Sequence, residues 1–320
     1  MNKKFSFAQC AAVLLACTAI VSTAILLYVR QLTNTLENET LQILREFANQ
    51  DAEHVQAQVR SDLETLAGIA TAMSILPDPT LEGMTELLET ERKQNLFKNM
   101  ELAGTNGVTY LDNGTMINLA GFPHFEKAAK GEAQISERVT DLIDGENILV
   151  ESVPIKNKDE IIGVLMGTRG TADFGKLLDM QSFGGEGYSL IVDANGDKVV
   201  ESFHKNAVSG LYNIFDMPDD PDHQLRDQVI KDFNARKSGT VKYHSAKRGV
   251  LYISYQPLGI NNWYLIAVVP EKHIAKVTET FVTLLPVMCL LIAVAAFILG
   301  GYICYAWPAL QKKLHAPEEN

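Results

Sequence analysis

Gly187-Tyr188-Ser189-Leu190-Ile191-Val192-Asp193-Ala194-Asn195-Gly196-Asp197-Lys198-Val199-Val200-Glu201 reads as two short strands joined by a tight turn. Branched residues crowd both arms, and Asn195-Gly196 supplies the pair that tolerates positive φ in a hairpin turn. The same figure stands earlier in the chain. Gly107-Val108-Thr109-Tyr110-Leu111 leads through Asp112-Asn113-Gly114-Thr115 into Met116-Ile117-Asn118-Leu119. The first hairpin is followed by a helix over 125–130 that ends at Gly131, and by strand-like runs at 135–140, 148–155 and 161–167. A short helix over 172–180 closes this unit. The second hairpin is followed by a helix over 222–236 and strands at 239–243, 250–257 and 263–269. Strand, turn, strand, helix and three more strands, written twice, predict an α+β fold with two five-stranded antiparallel sheets.

Upstream, Leu32, Leu36, Ile43, Phe47, Val55, Val59, Leu63, Leu66, Ala70 and Met73 recur at steps of three and four, with a longer gap around Asp51. That spacing predicts one apolar stripe on a long helix, uninterrupted by proline before Pro77. The stripe is not a strict heptad. It can pack on its own domain, form a homodimer seam, or do both. Pro77-Asp78-Pro79-Thr80 ends the helix. Thr80 caps a second one whose face carries Met84, Leu87, Leu88 and Phe97.

Two apolar runs, 5–29 and 281–307, bracket everything described so far. Each exceeds the ~20 residues that cross a bilayer as a helix. The first is too long for a signal-peptide core. It enters Arg30 without a small-x-small cleavage site, so a retained anchor is expected. Lys3 and Lys4 precede the first run and Lys312 and Lys313 follow the second, which predicts both termini inside and 31–278 outside. The segments read as a cytoplasmic start (1–4), a first span (5–29), a long signalling helix (30–76), a membrane-distal module (77–180), a membrane-proximal module (181–273), a helix continuing into the second span (274–307) and a tail (308–320).

Charge and cysteine usage narrow the function. The chain holds 28 Lys and Arg against 39 Asp and Glu, and nearly all the acid lies between the two runs. So acidic a domain is a poor partner for nucleic acid. Cys10, Cys17, Cys289 and Cys304 all fall in the apolar runs, so the intervening domain contains no disulfide. Such a cysteine-free exported domain suits a bacterial inner membrane, with membrane lipid as one partner.

In combination these residues resemble the double Cache sensors of bacterial transmembrane receptors. The resemblance rests on Phe125-Glu126-Lys127-Ala128-Ala129-Lys130-Gly131-Glu132, on Glu151-Ser152-Val153-Pro154-Ile155 with Ile162-Gly163-Val164-Leu165, on the hairpin 187–196, and on Tyr255-Gln256-Pro257-Leu258 with Asn262-Trp263-Tyr264-Leu265. It covers about 32–276. It implies two PAS-like (Cache) modules on a long N-terminal helix between two transmembrane helices, with a small molecule bound in the distal module and the proximal module relaying. The amino-acid binders of the family carry an Arg before the distal helix and an Asp after the last distal strand. Phe122 and Arg169 stand at those positions here, which argues against an amino acid.

Candidate ligand-binding residues follow. Arg169 can fork onto a carboxylate, or can be a loop arginine paired with Asp173. Alternation puts Ser136, Arg138 and Thr140 on one face, lining a pocket or facing solvent. Tyr110, Phe122, His124 and Phe125 can form an aromatic wall, with core packing the stronger reading of Phe125. An anionic small molecule is therefore the expected ligand. His124, His204, His223, His244 and His273 form no pair at metal-ligand spacing, and Asp193 to Asp197 reads as a turn rather than a calcium loop. No catalytic motif, cofactor loop or metal site is expected. Two functions stay open. One is the input half of a receptor with an output domain such as a diguanylate cyclase, a chemoreceptor hairpin or a histidine kinase. The other is a stand-alone membrane-anchored binding protein.

Overall fold

The structure is a computed structural model that describes residues 7–75, 81–110, 116–178, 185–207, 213–216, 219–220, 223–246, 248–271, 287, 289–298, 300–302 and 305. The chain forms two compact units, 1–40 with 274–320, and 41–273.

In the first unit, helix α1 (Phe7–Ser74) begins. It is the one described helix long and apolar enough to cross a membrane. Ile20, Leu26 and Leu27 stand exposed on it, as hydrocarbon solvent permits. Residues 289–298 and 300–302 are helical, with Leu290, Leu291 and Phe297 exposed. The rest of the expected second span, and the 272–286 connection to it, lie outside the described residues.

In the second unit, α1 buries Leu44, Ala48, Ala52, Val55, Val59, Leu66, Ala70 and Met73. Along 43–52 the buried face runs one residue later than the stripe expected from sequence: Ile43 is exposed and Leu44 is buried. The gap at Asp51 has a use, because its carboxylate accepts a 2.8 Å hydrogen bond from the Ser189 hydroxyl. Burial raises the Asp51 pKa, against that hydrogen bond and the charge of His54.

Helix α2 (Leu81–Gln94) is followed by Leu96 in a left-handed conformation, so Phe97 lies beyond the helix rather than on its face. Next come β1 (Asn99–Gly104), β2 (Val108–Tyr110), β3 (Met116–Asn118), α3 (Pro123–Ala128), β4 (Gln134–Ile135), β5 (Val139–Thr140), β6 (Asn147–Asn157), β7 (Glu160–Gly170) and α4 (Thr171–Leu177). The distal sheet is ordered β3-β2-β1-β7-β6-β4, with β5 also on β6. It has seven strands, not five. β1 went unread because Asn99-Met100-Glu101-Leu102-Ala103-Gly104 is low in branched residues; its full-length pairing with β7 makes it a strand. The expected strand 135–140 is split in two, because the Ser136 hydroxyl donates to the Glu137 carbonyl (2.6 Å) and accepts from the Val150 amide (2.9 Å).

The proximal module contains β8 (Tyr188–Val192), β9 (Lys198–Val200), α5 (Gln224–Asn234), β10 (Gly239–Ser245), β11 (Gly249–Pro257) and β12 (Tyr264–Pro270). Its sheet is β10-β11-β12-β8-β9, antiparallel throughout. Gly196 sits at φ +84° in the β8–β9 turn, where Asp193 Oδ1 accepts the Asn195 and Asp197 amides at 2.8 and 2.9 Å. The expected cap Asp222 lies outside the described residues; Asp220 accepts the Arg226 amide at 3.0 Å.

The modules meet directly. Trp263 Nε1 donates to Glu137 Oε2 at 2.6 Å, and Asn261 Nδ2 donates to the Ile135 carbonyl at 3.2 Å. Gln56 of α1 donates to the Leu258 carbonyl at 2.6 Å.

Candidate functional site

Register decides which distal side chains can meet a ligand. Glu151 stands opposite Gly167, and Ser152 opposite Met166. Alternation then sends Leu149, Glu151, Val153, Leu165, Gly167 and Arg169 toward α1, and Val150, Ser152, Val164, Met166 and Thr168 to the opposite face. The cores agree. Val153 and Leu165 pack with Leu66 and Met73 of α1, whereas Val150, Val164 and Met166 pack with Phe125 of α3. Gly167 lets Phe97 and α1 approach, since a Cβ there would sit 2.8 Å from the Phe97 ring and 3.2 Å from the Leu66 side chain of α1.

Arg169 therefore lies under α1. Its Nε donates to Asp62 Oδ2 (2.6 Å) and its Nη2 to Asp62 Oδ1 (2.8 Å). Its Nη1 and Nη2 reach the carbonyls of Leu96 and Asn95, both at 2.9 Å. Its guanidinium carbon lies 4.6 Å from the Phe97 ring centre. The fork is filled, so the expected ligand role of Arg169 is corrected. The expected alternative partner is corrected as well, because Asp173 pairs with Lys176. Arg169 is a strand residue whose parity turns it toward α1.

Glu151 shares this interior. It is 1% exposed, and neither carboxylate oxygen has a hydrogen bond. Burial, then the neighbouring Asp62 charge, pushes its pKa up to about 9 against the pull of Arg169. It is neutral at pH 7, which makes its burial tolerable.

The other sequence candidates separate. Phe122 is half-exposed with its ring 5.7 Å from His124. Burial holds His124 down to about 4, so it is uncharged. Phe125 belongs to the core. Tyr110 stands in β2 opposite Leu102 and Met116. Arg138 and Thr140 are exposed, because the break at Ser136 ends the alternation that would have turned them inward. The structure thus gathers Phe122, His124 and Phe125 at α3, and leaves Arg138, Thr140 and Arg169 apart from them. Two residues missed by sequence reading lie on the sheet face turned away from α1. Glu101 is buried opposite Met166, and Ser152, fully buried, has no partner for its hydroxyl. No sequence signal marks Ser152. Glu101 could have been found only by recognising β1.

The proximal module encloses a cavity of about 420 Å³ between its sheet, Val229 of α5 and the segment after β9. Leu190, Val241, Ile253 and Ile266 make its walls. Three tyrosines and two lysines line it, and Lys205 is paired with Glu186 at 2.7 Å. The Tyr255 hydroxyl donates to Asp232 Oδ2 at 2.6 Å, and burial and that carboxylate raise its pKa. The Tyr243 hydroxyl accepts the Asp219 amide at 3.3 Å. Tyr188 is 4% exposed and stacks on His204, and its hydroxyl forms no hydrogen bond with the described residues. Burial pushes its pKa up to about 12, while Arg248 pulls the other way. Lys198 lies 3.8 Å from Glu201. Among the described residues no three His, Cys, Asp or Glu converge as metal ligands.

A long helix that begins apolar and carries two PAS-like modules defines the class of receptor sensor domains that sit outside the membrane. The model of the Cache 3/Cache 2 fusion domain matches residues 108–283, more than half of the chain, and the chain belongs to that family. Solved structures share the fold. The ligand-binding domain of the Pseudomonas fluorescens chemoreceptor CtaA with L-serine is 17% identical, with a TM-score of 0.57 over 74% of this chain and 99% of that one. That of the Pseudomonas aeruginosa PAO1 amino acid chemoreceptor PctB with L-Gln is 18% identical, with a TM-score of 0.54 over 76% and 98%. The extracellular domain of the histidine kinase mmHK1S-Z3 is 15% identical, with a TM-score of 0.56 over 77% and 98%. No curated protein sequence matches the chain.

Proposed function

We propose that this chain is the input half of a two-pass receptor of the bacterial inner membrane. Its distal module takes up a small polar molecule on the sheet face turned away from α1, and its proximal module relays the change through the second span to a cytoplasmic output domain such as a diguanylate cyclase. The observation that carries the distal placement is Ser152. A fully buried hydroxyl with no partner costs stability unless something bonds to it. Glu101, buried on the same face, and the Phe122–His124 pair at α3 give that face hydrogen-bonding and aromatic groups. The L-serine and L-Gln bound in the similar chemoreceptor structures support a polar ligand of that size.

The test is a thermal-shift screen of the full chain in lipid nanodiscs against amino acids, amines, carboxylates and purines. A ligand at ~100 times its Kd adds ~2.7 kcal/mol. Ser152→Ala should weaken that ligand about tenfold. Unchanged affinity in Ser152→Ala removes the distal site. For the relay, two glycines inserted after Lys276 should abolish the response of a receptor fused to its output domain without changing affinity. A full response from the inserted receptor rules out this route.

A further inference from the structure

We infer that the proximal cavity is a second binding site, for a small organic acid with an apolar body and one carboxylate. It is separate from the distal site and does not depend on it. The cavity has the volume of a small-molecule chamber, and aliphatic side chains from four strands form its walls. Water gains little in such a space, whereas an apolar body gains burial. The polar signal is the Tyr188 hydroxyl: its residue is 4% exposed, lines the cavity and forms no hydrogen bond with the described residues. A neutral phenol with nothing to bond is a donor awaiting an acceptor. Arg248 acts on this phenol, and Tyr188 feels no comparable negative charge. His204, bonded through Nε2 to the Gly185 carbonyl at 2.8 Å, stacks on the same ring. His204 Nδ1 accepts the Asn206 amide at 3.1 Å, so the ring is neutral, and the positive charges on this side are Arg248 and the lining residues Lys198 and Lys205, which favour a carboxylate over a neutral carbonyl at the Tyr188 hydroxyl. Glu201, also in the lining and 3.8 Å from Lys198, disfavours a second anionic group. The ligand is thus a monoacid whose carboxylate meets Tyr188 and whose body lies between Leu190, Val241, Ile253 and Ile266.

The experiment is calorimetric titration of the full chain in lipid nanodiscs with 3-phenylpropionate, 4-methylpentanoate and their neutral amides, with empty nanodiscs as blank. The acids should bind at least tenfold more tightly than the amides. Tyr188→Phe should weaken the acids about tenfold and leave the thermal midpoint of the unliganded protein unchanged or higher, because it deletes a buried hydroxyl that has no partner. Ser152→Ala should leave acid binding unchanged, which keeps this site distinct from the distal one. Absence of binding by either acid, equal binding of acid and amide, or full acid affinity in Tyr188→Phe overturns the assignment.

Discussion

The two Cache modules repeat one frame with opposite interiors. The distal sheet buries Arg169 against Asp62 of α1, with the uncharged Glu151 beside them, and polar groups on its other face, in Glu101 and Ser152. The proximal sheet is tied to α1 by a hydroxyl-to-carboxylate bond, Ser189 to Asp51, and opens its other face into an apolar cavity. The same topology therefore presents a polar surface in one copy and a greasy chamber in the other. Strand order cannot supply that difference. It comes from which residue types alternation sends to each face.

The largest expected break in this contrast is Arg169→Ala. It leaves Asp62 buried beside Glu151 without its partner, so it should cost about 3–5 kcal/mol. Hydrogen exchange should show the loss in β6 and β7 and spare β8 to β12. Equal loss of protection in both modules means that they are not separable in stability.

Glu151→Gln sharpens the comparison by removing the charge question from the distal module alone. The unfolded carboxyl loses its proton near 4.5 and the folded one near 9. Between those values the folded state keeps a proton that the unfolded state has given up. The protein is thus most stable below about pH 4.5, as far as this group is concerned, and loses that stability as pH rises to about 9. A tenfold displacement of a proton equilibrium is worth about 1.4 kcal/mol, so Glu151→Gln should stabilise the protein at pH 8 by on the order of 2 kcal/mol. Denaturant titrations at pH 6 and pH 8 should find a smaller pH dependence in the variant. An unchanged dependence places the titration elsewhere.

Glu137→Ala removes the acceptor of Trp263 Nε1 and should cost about 1.5 kcal/mol. Because this bond joins the modules, Trp263 fluorescence should shift and distal ligand binding should couple less strongly to proximal exchange. If coupling is unaltered, α1 and the Asn261 bond to the Ile135 carbonyl carry it without Trp263.

The smallest effect should come from Ser189→Ala, at about 1 kcal/mol, since Asp51 is only partly buried and can take a proton or a water in place of the hydroxyl. A cost approaching that of Arg169→Ala would erase the distinction between a charged and a neutral attachment.

Much of the frame was legible in the chain. Periodicity of three and four marked α1, because a helix that packs on a sheet must repeat its apolar face. Turn chemistry at Asn195-Gly196 marked the proximal hairpin, because few residues accept positive φ. β1 was not legible: its six residues have weak strand propensity, and pairing with β7 makes the strand. The candidate site was legible only at Phe122, His124 and Phe125. Arg169 was picked for its chemistry, but chemistry does not say which way a side chain points.

The sequence by itself therefore determined the repeated strand-and-helix order, the long helix and the apolar runs, all of which are local patterns that repeat along the chain. Only the tertiary structure decided that Arg169 belongs to Asp62, that Glu151 is shut in uncharged, that Ser152 and Tyr188 hold unused hydroxyls, and that one module is hollow. The physical reason is that these facts depend on strand register and on packing between residues far apart in sequence, such as Asp62 and Arg169 or Glu137 and Trp263. A shift of one residue in register turns a side chain to the other face without changing any local pattern.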